Sequence, residues 1–144
     1  MIYADTSVLV SSYLNEARTE ESIGLLSLSS EPILISRLIH LEVVNAINLQ
    51  VFWRKYEKYQ ARALILRFDL EIQQGCYVMM DDADGQVWEK AEELSSYHSA
   101  VLGNRSLDVW HVAFALCYDV NVFLTFDEKQ KSLANAVGLK TNPL

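Results

Sequence analysis

A chain of 144 residues with 51% hydrophobic residues, 5 Gly and 2 Pro is long enough for a full core. It is too apolar to be disordered and too irregular to be fibrous. A formal net charge of −7 argues against broad affinity for nucleic acid, and no apolar run approaches the ~20 residues of a membrane span.

Short apolar runs alternate with long amphipathic ones. Ile2–Ala4 reads as a strand and Ser7–Leu14 as a short helix. Thr19–Ser29 is a second helix, closed by "SSEP", and Ile33–Ile35 a second strand. Ser36 then caps a long helix running to about Arg54. Tyr56–Gln74 makes a further helix, with so little room for a turn that the two form an αα-hairpin. "CYVMM" is a third strand, "DDADG" a turn, and Gln86–Leu102 a helix ended by Gly103. Leu107–Tyr118 is another helix, "NVFLT" a fourth strand, Glu128–Val137 a last helix, and "GLKT" a small edge strand.

This alternation predicts one three-layer α/β/α domain over residues 1–144, with a mostly parallel sheet of four or five strands. The first strand should be central and lie beside the strand ending at Thr125. The start "MIYADTS" has no basic segment or long apolar run, so no secretory leader is expected. Cys76 and Cys117 stand far apart without a metal-ligand spacing, and read as buried thiols of a cytoplasmic protein.

In an open α/β sheet, ligands sit beyond the carboxyl ends of the strands, where strand order reverses. Asp5 lies just after the first strand and Asp127 just after the fourth. Glu42, in "SRLIHLEVVNAINL", shares a stripe with Leu38, Ala46 and Leu49, where a carboxylate is costly unless something binds it. Asp108, in "NRSLDVWHVAFAL", stands in the first turn of a helix. Each acid taken singly has a plain structural explanation. Asp5 and Asp127 suit helix caps, and Asp108 gains from the helix dipole.

Four carboxylates converging on one cleft would repel by roughly 4 kcal/mol per close pair at an effective dielectric near 20. Such a cluster needs protons or a cation. Oxygen-only ligands select Mg²⁺ or Mn²⁺ over zinc. The denser run Asp81, Asp82 and Asp84 beside Gly85 reads instead as turn and cap chemistry. His111, three residues after Asp108, reads as a packed or hydrogen-bonded histidine before an orienter of an acid.

"IYADTS", Glu42 in "HLEVVNAI", "RSLDVWHVAFAL" and "LTFDEKQ" closely resemble, in order and spacing, the four acidic motifs of PIN domains, and the size resembles the VapC-type toxins among them. The resemblance implies a metal-dependent endoribonuclease of a toxin–antitoxin pair. Its acidic, metal-holding site would be Asp5, Glu42, Asp108 and Asp127, with Thr6 or Ser7 and Thr125 as supporting hydroxyls. A PIN-fold binding module without activity is the alternative. A phospho-accepting module would need an acidic pair after the first strand and a lysine after the last core strand, where this chain has "ADTS" and "LTFD".

The segment from Phe52 to Arg67 concentrates Arg54, Lys55, Lys58, Arg62 and Arg67, 5 of the 12 basic residues, on what reads as a solvated face. Phe52, Trp53, Tyr56, Tyr59 and Phe68 add aromatics that suggest an interface. By the resemblance, this hairpin would help form a homodimer and a groove for a small antitoxin.

Overall fold

The strand segments are short, and the three at the centre of the sheet are almost wholly apolar, as burial on both faces of a parallel sheet demands. In the computed structural model, which describes residues 1–142, they are β1 (Ile2–Ala4), β2 (Ile33–Ser36), β3 (Tyr77–Met80), β4 (Val122–Leu124) and β5 (Lys140–Thr141). Seven helices join them: α1 (Thr6–Tyr13), α2 (Thr19–Leu26), α3 (Arg37–Phe52), α4 (Lys58–Gln73), α5 (Gln86–Leu102), α6 (Ser106–Cys117) and α7 (Glu128–Ala136). The expected domain of residues 1–144 extends two residues past the described ones.

All pairings are parallel, in the order β3-β2-β1-β4-β5. β1 is central, with Tyr3 opposite Leu34 on one side and Phe123 on the other. The order reverses at β1, so the carboxyl ends of β1 and β4 open a cleft at the switch point. α1 packs on α2 and α3, and α3 on α4, while α5 packs on α6 and α7. These two helix groups and the sheet make the three layers of an α/β/α fold. Tyr3, Phe114 and Phe123 fill the centre, with ring centroids 5.4 Å from Tyr3 to each of the other two.

Local chemistry sets the ends of the elements that carry the acids. Ser36 caps α3 by accepting from Ile39 N at 3.1 Å. Gly103 ends α5 at φ 67°, a left-handed conformation that glycine adopts without a Cβ clash, and turns the chain into α6. Among the described residues no helix is long and apolar enough to cross a membrane.

Three expectations are corrected. Cys76 is exposed and Cys117 half-buried, because both sit at element ends near the surface. Phe68 is wholly buried, edge-on to Tyr13 and Tyr77, so it belongs to the core and not to an interface. The buried stripe of α3 is Ile39, Val43 and Ile47, one residue along from Leu38, Ala46 and Leu49, which are half-buried. Glu42 therefore stands on the shoulder of the stripe.

Candidate active site

Asp5 is delivered by β1 straight into the first turn of α1. Its Oδ1 accepts from Ser7 Oγ at 2.6 Å and from Val8 N at 3.2 Å, and its Oδ2 accepts from Thr125 Oγ1 at 2.7 Å. The side chain is buried. Burial raises its carboxyl above the usual range, against the pull of Ser7, Thr125, the Val8 amide and the nearby His111. None of the ion pairs among the described residues reaches it. An approaching cation would therefore favour its ionised form.

Thr125 follows β4 and is itself locked. Its amide donates to Asn142 Oδ1 at 2.9 Å, and Asn142 Nδ2 donates to its carbonyl at 2.8 Å. Its hydroxyl also accepts from Asp127 N at 2.9 Å. Asp127 caps α7, with Oδ1 accepting from Lys129 N at 2.8 Å and Gln130 N at 3.0 Å. Its Oδ2 remains 3.8 Å from Arg105 Nη2.

Glu42 is held from two sides on one oxygen. Oε2 accepts from Thr6 Oγ1 at 2.6 Å and lies 2.8 Å from His111 Nε2. The other ring nitrogen of His111 is 2.7 Å from Tyr3 OH, which in turn lies 3.3 Å from Ser36 Oγ. With Glu42 ionised, Nε2 carries a proton and donates to it. Burial pushes the Glu42 carboxyl up, but the bond and charge of His111, together with Thr6, outweigh it and leave the group below its ordinary value. His111 is thus both a packed, hydrogen-bonded core histidine and the residue that orients an acid.

Asp108 is buried in the first turn of α6. Its Oδ2 accepts from Arg105 N at 3.2 Å and Nε at 3.4 Å, and its Oδ1 accepts from Gln130 Nε2 at 3.3 Å. Gln130 bonds Asp127 through its amide N–H and Asp108 through its side chain. Its own Oε1 is buried without a partner.

The fold thus links all four acids, Asp5, Asp127 and Asp108 through hydrogen bonds and an ion pair, and Glu42 through Thr6, the chain neighbour of Asp5. Glu42 meets Thr6 beside Asp5, Asp5 meets Asp127 through Thr125, and Asp127 meets Asp108 through Arg105 and Gln130. No two of the four carboxylates bond each other. Among the described residues no group of three or more His, Cys, Asp or Glu side chains stands close enough to hold a metal ion directly. Hydroxyls, His111 and Arg105 relieve the repulsion that a bare cluster would suffer.

The residues nevertheless fit a hydrated divalent cation. The acids offer only oxygen donors, the choice of hard ions. The Arg105 guanidinium, 78% exposed and no closer than 3.4 Å to its partners, sits loosely between Asp108 and Asp127 as a replaceable counter-charge. The orphaned Gln130 Oε1 beside Asp108 is an acceptor suited to a bound water.

Asp81, Asp82 and Asp84 stay outside this set. Asp82 Oδ1 accepts from Val87 N at 3.3 Å at the start of α5, and Asp81 lies 3.9 Å from Arg37. Arg105, Gln130 and Tyr3 are the contributors that sequence reasoning missed. Two had a visible signal: Arg105 lies three residues before Asp108, and Gln130 three after Asp127.

The family model for the PIN domain matches residues 2–136. No curated protein matches the chain. Among solved structures, VapC20 of Mycobacterium tuberculosis, a Sarcin-Ricin loop cleaving toxin, superposes with a TM-score of 0.70 at 17% identity over 96% of each chain. FitAcB from Neisseria gonorrhoeae superposes with a TM-score of 0.72 at 15% identity, over 99% of this chain and 97% of that one. Likeness at these identities speaks for the fold.

Proposed function

The chain belongs to the PIN domain family, and on that premise we propose that it is a metal-dependent endoribonuclease, the cytoplasmic toxin of a toxin–antitoxin pair. The observation that carries the reading is the linked set of four carboxylates, Asp5 and Asp127 after β1 and β4 with Glu42 of α3 and Asp108 of α6 beside them. Binding modules have no need for such a set, with its cost in buried charge. The shared fold with VapC20, a Sarcin-Ricin loop cleaving toxin, supports RNA as the substrate.

Asp5, Glu42, Asp108 and Asp127 would hold Mg²⁺ or Mn²⁺, which when bound activates water and offsets charge on the scissile phosphate. Thr125 and Ser7 fix both oxygens of Asp5, so its orientation is set before any ligand arrives. His111 and Thr6 do the same for Glu42. One carboxylate of the set takes the proton of the attacking water.

Self-association and capture of a small antitoxin fall to the α3–α4 hairpin. Its tip leaves Phe52, Trp53 and Tyr59 exposed beside Arg54, Lys55 and Lys58. Tyr56 is half-buried, its hydroxyl accepting from Asn15 N at 3.0 Å, and so ties the hairpin to the body. Inducible expression in bacteria of wild type beside Asp5→Asn tests the reading. Growth should arrest with wild type only, and arrest by both, or by neither, counts against a toxin nuclease.

A further inference from the structure

We propose that the cavity between Trp88 and the first turns of α3 is a nucleobase-binding subsite, placed beside the acidic cleft to read a base next to the cut. The ligand class rests on the nuclease reading above; the site itself rests on the following geometry. A cavity of ≈ 590 Å³ is lined by Arg37, Leu38, Leu41, Asp82, Trp88 and Trp110, among others. It adjoins the cleft through two elements. Leu38 precedes Glu42 by four residues, about 6 Å of rise along α3. Trp110 precedes His111, which holds Glu42.

Trp110 is 5% exposed and Trp88 57% exposed, their ring centroids 5.8 Å apart. A large ring left half in solvent beside a buried one makes a stacking wall, and base–aromatic stacking is the usual anchor of an unpaired nucleotide. Arg37 is exposed and only 3.9 Å from Asp81, so its guanidinium can turn to a phosphate or lie on a base.

A free phosphate matches less well, because it would meet Asp81 and Asp82.

The test follows the three indole N–H resonances, assigned with Trp→Phe variants, in metal-free wild-type protein titrated with AMP, CMP, GMP and UMP. The resonances of Trp88 and Trp110 should shift saturably and unequally among the four nucleotides, while that of Trp53 stays. Trp88→Ala should weaken the preferred nucleotide about tenfold, and Trp88→Phe should keep most of the affinity. No shift with any nucleotide, an equal shift with all, or movement on dilution alone (an interface between copies) overturns the subsite.

In a second arm, the ends of RNA fragments are mapped. Trp88→Ala should flatten the base preference beside the cut, and an unchanged preference at an unchanged rate removes the subsite while leaving the nuclease reading intact. Failure of wild type to cut any RNA instead strikes the nuclease reading, and the resonance shifts then decide the cavity by themselves.

Discussion

Thr125 Oγ1 donates to Asp5 Oδ2 at 2.7 Å across 120 residues of chain, and accepts from Asp127 N at 2.9 Å. One hydroxyl therefore sets the spacing between the acid that follows β1 and the acid that follows β4. Thr125→Val keeps the shape and removes both bonds. Leaving Asp5 Oδ2 and Asp127 N without this partner should cost about 1–3 kcal/mol. It should also raise the Asp5 carboxyl further, so that cleavage develops at higher pH than in wild type. Urea unfolding and a pH–rate profile check both, and an unchanged stability would show that the hydroxyl is dispensable.

The acids pull the pH dependence of stability in opposite directions. Glu42 lies below its ordinary value of 4.5, so its contribution is complete above that pH and is lost as pH falls through the lower, folded value. Asp5 lies above its ordinary value of 3.8, so the folded state holds the proton longer and stability declines as pH rises from there through the folded value. Glu42→Gln should therefore lose less stability than wild type when metal-free protein is taken from about pH 5 to about pH 3.5. Parallel losses in the two proteins would mean that His111 and Thr6 do not hold Glu42 in solution.

Arg105 competes with the ion for Asp108 and Asp127. Because its guanidinium is 78% exposed and its contacts are 3.4 and 3.8 Å long, each pair is worth no more than about 1 kcal/mol. Arg105→Gln should lower the metal-free thermal midpoint slightly and bring half-maximal stabilisation to a lower Mn²⁺ concentration. Movement to a higher concentration would make the guanidinium a partner of the ion.

The hairpin tip predicts association through apolar contact. Phe52→Ser combined with Trp53→Ser removes two exposed rings without touching the buried Phe68. Sedimentation of wild type at high micromolar concentration should show a dimer, and the double variant a monomer with an unchanged melting curve. A wild-type monomer would leave these rings without a self-association role.

The strand-end acids were legible because short apolar runs followed by capping residues mark strand-to-helix junctions, as at Asp5, Ser36 and Asp127. Alternation predicts a parallel sheet but not its strand order; the expected central β1 beside β4 is the order found. Within α3 the stripe was misjudged by one residue. Leu38, Ile39, Val43, Ala46, Ile47 and Leu49 leave apolar side chains on more than one face, so periodicity alone does not select the deeper one. Phe68 was misplaced for a related reason, since counting aromatics ignores which face of α4 they share with the buried Ala61. The Tyr3–His111–Glu42 chain links residues up to 108 positions apart, and no local pattern encodes it.

The central claim is that Asp5 belongs to a metal-holding set that cuts RNA. Purified wild type and Asp5→Asn are compared on single-stranded RNA with Mn²⁺, after EDTA, and after re-addition of the ion. Wild type should cut, stop with chelator and recover, while a folded Asp5→Asn falls by orders of magnitude. Full cleavage in chelator, or undiminished cleavage by Asp5→Asn, would contradict the account.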